Sequence, residues 1–340
     1  MRKNLRIYDA ERHAVLAAVY AKEGTEMNQD KVGAYRTKII KAGDMLYISC
    51  YPLITSREVM REQDARLAEL EAGNLARKQR VAWAKYNNAR RVRDFEILCQ
   101  ANFYKDDLHV CCTYSREMDA WYDHGERPSE YIHGQRQEKD FINEDDARRH
   151  IRNYIARVKR LLKRRGCDAS EFRWLLVTVR KEAQQESSVV QPDRFHHHML
   201  MHGVPEDLRN EVERLWPFGT CDTDRLQPDG KGIADMAGYI ARQEGKANGD
   251  AYKKHSFSTS RNIIKPQPKT SDVKISRRRV SQIAADVRAN GMEIFGKLYP
   301  EYRLTEPPQV KISDFTAGAY IYARLKRIEQ RKDTRRIAQT

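Results

Sequence analysis

The chain has 340 residues, enough for two domains or for one domain with extensions. Its 63 lysine and arginine residues exceed its 48 aspartate and glutamate residues, so its formal net charge is +15. No stretch reaches the roughly 18 apolar residues that a membrane helix needs, and residues 1–20 lack the apolar core of a secretory signal. We therefore expect a cytoplasmic protein with no membrane partner.

Basic residues recur in clusters along the whole chain, at residues 77–93, 157–165, 277–279 and 324–336. Any single cluster is typical of a solvated helix surface. An excess that extends over the whole chain, however, is the electrostatic pattern of proteins that bind nucleic acids. The composition therefore favours a polyanionic partner.

Two common kinds of cofactor site are not indicated. The six cysteines include no CxxC pair, which argues against a zinc ribbon and favours reduced thiols. No GxxxxGK[ST] motif occurs, so we expect neither a nucleotide cofactor nor a fused helicase.

The first hundred residues are predicted to form an N-terminal extension, residues 1–100. A strand pair is expected at Arg36–Ile40 and Met45–Tyr51. From Ser56 to about Gln100 the chain is rich in Ala, Glu, Arg and Lys and contains no proline, which predicts one long or broken basic helix.

Residues 101–250 are predicted to form the central domain. Alternating or apolar runs predict four strands, and 3.6-residue periodicity predicts three helices. The strands are expected at Leu108–Tyr114, Phe172–Arg180, Phe195–Met201 and Thr220–Leu226, and the helices between Asn143 and Gly166, after Pro205 and at Gly232–Glu244.

The order strand, helix, strand, strand, helix, strand is that of the split βαβ unit. We therefore expect an α+β, ferredoxin-like or RRM-like fold, with an antiparallel sheet that carries two helices on one face and is open on the other. Residues 251–340 are predicted to be a basic C-terminal extension with a helix near Ser276–Arg288, so both ends of the chain are expected to be largely helical extensions.

The most informative motif is a run of histidines on the third of these strands. Alternate residues of a strand share a face, so His196, His198 and His202 point one way, and Phe195, His197, Met199 and Met201 point towards the core. Two imidazoles on one strand face, about 7 Å apart by strand rise, can bind one divalent metal ion. Two alternatives to a catalytic metal site are that these histidines serve only in packing, or that they bind a metal ion without catalysis.

A second motif follows on the helix after the histidine strand. Tyr239 and Arg242 are three residues apart and therefore share a helix face. A phenol with a pKa near 10 becomes an effective nucleophile towards phosphorus beside a cation and a metal-polarised phosphate. Taken alone, Tyr239 also fits a buried aromatic residue with a tethered hydroxyl group.

Together these motifs resemble those of the HUH endonucleases, in particular the rolling-circle replication initiator proteins of plasmids and phages. The three motifs of that family have counterparts here in LHVCCTY (Leu108–Tyr114), RFHHHMLMH (Arg194–His202) and YIAR (Tyr239–Arg242). The stretches DTDRLQPDG, STSRNIIKP and DFTAGAYIYARLKR also look similar to such proteins, so the resemblance covers roughly residues 100–327.

The resemblance implies that His196 and His198 bind Mg²⁺ or Mn²⁺, and that Tyr239 attacks a phosphodiester in single-stranded origin DNA. The products would be a 5′-phosphotyrosine and a free 3′-hydroxyl group that primes replication by a host helicase and polymerase. Such sites often have a third ligand, for which Glu182 is the first candidate and His202 and His109 are the others. All-imidazole ligation would favour Mn²⁺ or another transition ion.

The chain departs from the family pattern at two further positions. His197 stands where a hydrophobic residue is usual, and Arg242 replaces a lysine, which keeps the cation but removes a group able to give up its proton.

Four basic residues near the polar loop after the tyrosine helix are candidates for DNA binding, namely Lys253, Lys254, Arg261 and Lys265. Two alternative functions remain open. One is a mobilisation relaxase or single-strand transposase with the same chemistry, and the other is a non-catalytic nucleic-acid-binding protein with a degenerate metal site.

Overall fold

The computed structural model describes most of the chain from residue 27 to residue 328. The described residues are 27, 29–54, 61, 65, 90–114, 144–181, 185–186, 189–190, 194–247, 257–313 and 316–328. Most of the basic helix predicted at residues 56–100 lies outside them, although residues 90–102 are helical.

The described residues form an α+β fold with antiparallel sheets. The strands are β1 (Ala34–Ala42), β2 (Met45–Leu53), β3 (Leu108–Thr113), β4 (Arg173–Lys181), β5 (Gln185–Glu186), β6 (Val189–Val190), β7 (Arg194–His202), β8 (Cys221–Arg225), β9 (Ser258–Thr259), β10 (Lys269–Ser271), β11 (Tyr302–Leu304), β12 (Gln309–Ser313) and β13 (Thr316–Arg327). The helices are α1 (described part 90–102), α2 (Glu144–Arg164), α3 (Arg209–Arg214), α4 (Ala234–Ala247), α5 (Arg277–Ala285) and α6 (Ala289–Leu298).

These elements form two compact units. The terminal unit comprises Met1–Ile97, Gly230–Gly232 and Pro266–Thr340, and the central unit comprises Leu98–Asp229 and Ile233–Lys265. The sequence suggested a separate extension at each end, whereas the structure joins the two ends in one unit. The physical reason is strand pairing, because β2 near the N-terminus pairs with β13 near the C-terminus.

The terminal unit is built on a sheet with the strand order β10-β1-β2-β13-β11, and β12 also pairs with β13. The predicted strand pair is present as β1 and β2, in continuous register from Ala34–Leu53 to Ala42–Met45. Alternate residues of β2 face a core that also contains Val280, Ile283 and Phe295 of α5 and α6. The C-terminal segment is therefore part of a sheet and not a largely helical extension.

The central unit is built on a sheet with the order β8-β3-β7-β4-β9, in which every neighbouring pair is antiparallel. The four predicted strands are present as β3, β4, β7 and β8. The predicted helices are present as α2, α3 and α4. Helix α2 ends where Gly166 adopts a φ of +74°, the left-handed conformation expected at a helix C-terminus.

One face of the central sheet carries the main core. Apolar side chains of β3, β4 and β7 pack there against the buried stripe of α2, which includes Ile151, Tyr154 and Val158. Leu208 and Val212, before and within α3, join the same core. Both connecting helices therefore lie on one face, as the sequence predicted.

The opposite face is not open along its whole width, contrary to the prediction. Helix α4 contacts β4, and the ring of its Tyr239 contacts the ring of His198 on this face. The cause is the apolar side of α4, because Ile233, Ala237 and Ile240 need burial and are almost inaccessible to solvent. Among the described residues, no helix is long and apolar enough to cross a membrane.

Candidate metal and tyrosine site

The site lies on the face of the central sheet where α4 packs, and strand register brings its residues together. His196 and His198 are on β7, which lies between β3 and β4. On β3, Cys111 lies opposite His198 and His109 lies opposite Leu200. His109 is therefore a diagonal neighbour of His198 on the same face.

Three imidazoles meet at this point of the sheet. The rings of His109 and His198 are stacked, with centroids 5.4 Å apart and planes inclined by 11°. His109 Nε2 lies 3.2 Å from His198 Nδ1, which is a hydrogen-bond distance. The His196 ring is nearly perpendicular to that of His198, with a centroid distance of 5.1 Å.

Burial lowers the pKa of two of these imidazoles, those of His109 and His198. Desolvation lowers the pKa of His109, partly opposed by the charge of Asp224. Desolvation, followed by the charges of His196 and His109, lowers the pKa of His198 to about 4. At neutral pH both rings therefore carry a lone pair, and a lone pair is what a metal ion requires from an imidazole.

His198 Nε2 is buried and has no hydrogen-bond partner in the described part of the chain. A buried polar atom without a partner is costly, and such atoms call for an explanation. When His198 Nδ1–H donates to His109 Nε2, the lone pair of His198 is on Nε2, the tautomer that a metal ion needs. The orphaned nitrogen therefore fits a metal ligand, and His109 fits a residue that positions it.

The metal-ligand set is incomplete among the described residues. They contain no group of three or more His, Cys, Asp or Glu side chains arranged to hold a metal ion. Glu182, the first candidate for the third ligand, lies outside the described residues. His196 and His198 as metal ligands, and Glu182 as the third, therefore stay predictions.

His202 is engaged elsewhere and does not join the pair. Its Nδ1 lies 2.9 Å and 3.0 Å from the two carboxylate oxygens of Asp107, and its ring contacts Tyr104 at 5.6 Å. Desolvation raises the pKa of Asp107, against the lowering effect of its backbone hydrogen bond and of His202. His202, one of the alternative third ligands, is therefore bound to Asp107 at the end of β7.

His197 faces the core, as strand alternation predicted. Its side chain is fully buried, with Nδ1 2.9 Å from Thr178 Oγ1 and Nε2 3.2 Å from Tyr114 Oη. Desolvation, with smaller contributions from neighbouring histidines, lowers its pKa to about 3. Both ring nitrogens have partners, which explains how a histidine occupies a position where a hydrophobic residue is usual.

Tyr239 is presented to the histidine pair by α4. Its neighbours Ile240 and Ala241 are buried and anchor the helix, whereas Tyr239 is 45% exposed. Its ring centroid lies 5.7 Å from that of His198, with an interplanar angle of 81°. The backbone of Arg242 belongs to α4, but its side chain lies outside the described part.

The four candidate DNA-binding residues are only partly described. Lys253 and Lys254 lie outside the described residues, whereas Arg261 and Lys265 are exposed in the segment that follows β9. Their role in binding DNA stays a prediction.

Sequence reasoning missed two carboxylates close to the site. Asp222 and Asp224 on β8 lie opposite Cys111 and His109 in the strand register. Their effect is visible in the pKa values, because Asp224 opposes the desolvation of His109, and Asp222 adds to the rise that burial causes in the pKa of Cys111. The alternation of Asp222, Thr223 and Asp224 in the sequence indicates that the two carboxylates share a strand face. Only the pairing of β8 with β3 shows that this face lies beside Cys111 and His109.

Comparisons of the chain with protein-family models, with curated proteins and with solved structures found no match.

Proposed function

We propose that this chain is a metal-dependent endonuclease of the HUH type that nicks and rejoins single-stranded DNA at a replication origin. The observation that carries the proposal is the contact between Tyr239, an exposed tyrosine, and His198, whose buried Nε2 has no partner among the described residues. A nucleophile and a metal ligand then lie side by side on one face of the sheet.

The topology of the central unit supports the same proposal. Numbered along the chain, the strands of the sheet β8-β3-β7-β4 are the fourth, first, third and second, and the two helices that connect them lie on one face. This strand order supports our proposal of a ferredoxin-like split βαβ fold. We propose that the sheet is the nuclease core and that β7 is its histidine strand.

The chemistry follows from the placement of the side chains. A metal ion held by His196 and His198 would stabilise negative charge on the phosphoryl oxygens. The Tyr239 oxygen attacks phosphorus and loses its proton, the bond from phosphorus to the 3′ oxygen breaks, and that oxygen leaves as a hydroxyl group. Attack by a 3′-hydroxyl group on the phosphotyrosine reverses the step and rejoins the strand.

The ring of Tyr239 lies beside that of His198, with centroids 5.7 Å apart, which supports the placement of the nucleophile next to the metal ligands. Imidazole ligands favour Mn²⁺ or another transition ion over Mg²⁺.

After the nick, the free 3′-hydroxyl group would prime rolling-circle synthesis by a host polymerase, with a host helicase to unwind the duplex. A mobilisation relaxase or a single-strand transposase would use the same chemistry, and the position of the cut relative to an origin distinguishes them.

The test is a denaturing-gel assay for a covalent protein–DNA adduct, with a pool of random single-stranded oligonucleotides and Mn²⁺. We expect the wild type to form an adduct and Tyr239→Phe to lose it by at least about 100-fold, because removal of the nucleophile leaves no covalent route. Tyr104→Phe is the matched control, since Tyr104 is a similarly exposed tyrosine of the central unit, at 43%. It should behave as the wild type.

Two results would contradict the proposal. One is an undiminished adduct in Tyr239→Phe, which would place the nucleophile elsewhere. The other is tight binding of the oligonucleotides by the wild type without any adduct, which would favour the non-catalytic alternative.

A further inference from the structure

Four of the five described residues that line a groove on the central unit are cationic. Arg157, Arg160, Lys163 and Arg164 of α2, together with Leu215 just after α3, surround a cavity of ≈ 590 Å³. We call this the α2 groove. Helix α2 packs on the sheet face opposite the one that carries His198 and Tyr239, so the groove is separate from the candidate nicking site.

Three cations of the groove, Arg160, Lys163 and Arg164, contrast with those in the first half of the same helix. There, Arg148 pairs with Glu144 and Arg149 pairs with Asp146, each within one helical turn. Among the residues that the structure describes, Lys163 and Arg164 have no ion-pair partner, and Arg160 donates only to the carbonyl of Ala156. Like charges one turn apart destabilise a helix, so this half of α2 maintains an unfavourable arrangement that a bound polyanion would relieve.

The helix dipole accounts for only part of this cluster. Lys163 and Arg164 are in the last turn, where cations are favourable. Arg157 and Arg160 precede that turn, beyond the range at which the dipole acts. Arg157 is also held towards the groove, because its Nη1 donates to the carbonyl of Leu215.

The spacing of the cations fits a nucleic-acid strand. Arg157, Arg160 and Arg164 follow one another at three and four residues, or about 4.5 and 6 Å along the helix axis. The phosphates of one strand of duplex DNA repeat about every 3.4 Å along the helix axis, and at larger intervals when a single strand is extended. A row of this length contacts several phosphates in succession, whereas a single phosphate group would need only one end of it.

A membrane surface fits less well. A helix that binds a membrane inserts an apolar face, but the apolar residues of α2 are buried in the core of the central unit. Among the described residues that line the groove, Leu215 is the only apolar one.

We infer that the α2 groove binds the phosphate backbone of DNA, as a second contact on the side of the sheet away from Tyr239. The argument from charge and spacing is independent of the nicking chemistry, whereas the choice of DNA as the polyanion rests on the proposed function. A DNA segment that flanks the nick site would be held there while the single strand occupies the face with the tyrosine.

The test measures DNA binding by fluorescence anisotropy over a range of salt concentrations, in EDTA so that no cleavage occurs. The full chain is compared with Arg160→Ala/Arg164→Ala, using single-stranded and duplex oligonucleotides in separate titrations. Loss of two phosphate contacts should reduce the slope of log K against log salt by about 1.8 for duplex DNA or about 1.4 for single strands. The titration with the larger loss identifies the form of DNA that the groove holds.

Two further variants separate the groove from general charge effects. Arg148→Ala/Arg149→Ala removes the same charge from the paired half of α2 and should leave the slope nearly unchanged. Arg160→Lys/Arg164→Lys keeps the charge and should retain the slope of the wild type, with circular dichroism to verify that each variant is folded.

Equal slopes in the two alanine variants would overturn the inference. A second contradicting result is that Arg160→Ala/Arg164→Ala weakens binding of ATP but leaves the salt dependence of DNA binding unchanged. The groove would then be a site for a small phosphate ligand. Failure of Tyr239 as the nucleophile would leave these results unaffected.

Discussion

Adjacent histidines of β7 have opposite roles because successive side chains of a strand point to opposite faces. His197 is enclosed in the core and bonded through both ring nitrogens to Thr178 and Tyr114. His198 points to the other face, where its Nε2 is buried without a partner among the described residues. We therefore expect His198 to act as a metal ligand and His197 to contribute to the stability of the fold.

The buried state of His197 predicts how stability depends on pH. Burial lowers its pKa to about 3 in the folded protein, from 6.5 for an ordinary histidine. Between these values the unfolded chain binds a proton that the folded protein does not, so stability falls as the pH decreases from about 6.5 to about 3.

We expect His197→Gln to lose less stability on acidification than the wild type. From pH 7 to pH 5 the wild type should lose about 2 kcal/mol more, from about 1.4 kcal/mol per pH unit below 6.5. Urea unfolding at the two pH values measures this difference, whatever the cost of the substitution itself at pH 7. The same pH dependence in both proteins would show that His197 is not the residue that titrates.

At the scale of the element, β13 of the terminal unit depends on one glycine. Gly318 has a φ of +74°, and a Cβ atom there would lie 2.5 Å from Tyr35 Oη and 2.9 Å from Val32 Cγ2. Tyr35 Oη accepts a hydrogen bond from the Ala319 backbone N–H, and burial raises the pKa of Tyr35 to about 12. The glycine is needed both for its backbone conformation and for this close approach.

Gly318→Ala should therefore be much more destabilising than Gly166→Ala. Gly166 has the same φ of +74°, but a Cβ atom there would meet nothing within 4 Å. Left-handed backbone alone costs about 1–2 kcal/mol, and overpacking at Gly318 adds about 1–3 kcal/mol. Chemical denaturation of the two variants measures the difference, and equal losses would mean that the contact with Tyr35 is relieved without cost.

Individual elements could be predicted from the sequence, but their partners could not. Periodicity and alternation identified β1–β4, β7, β8 and the helices α2–α5, because these patterns reflect burial of one face. They do not say which surface buries that face, so the position of α4 over the histidine side of the sheet was missed. Likewise, alternation grouped His202 with His198, and only the structure shows that Asp107 binds it.

At the scale of the whole molecule, strands from the N-terminal and C-terminal parts of the chain form one sheet. β2 pairs with β1 on one side and with β13 on the other, so it is an internal strand. Strands so distant in the sequence pair through long-range contacts, for which a single sequence contains no local signal. This is why the sequence suggested two separate extensions.

Deletion of residues 1–55 should consequently destabilise the C-terminal strands. Without β2, the backbone groups of β13 that pair with it are unpaired, and amide hydrogens in residues 302–327 should exchange at least about tenfold faster. Hydrogen–deuterium exchange with mass spectrometry measures this effect, with peptides of β4 in the central unit as the internal control. Unchanged protection of residues 302–327 would show that the C-terminal strands are stable without β2.

The central claim is that Tyr239 is the nucleophile of a strand-nicking site, and the most direct test locates the adduct. After reaction with single-stranded DNA and Mn²⁺, nuclease digestion and peptide mass spectrometry should find a nucleotide on the peptide that contains Tyr239. It should be linked through its 5′ phosphate, and the released strand should end in a 3′-hydroxyl group. A nucleotide on any other residue, or a released strand that ends in a 3′ phosphate, would contradict the account.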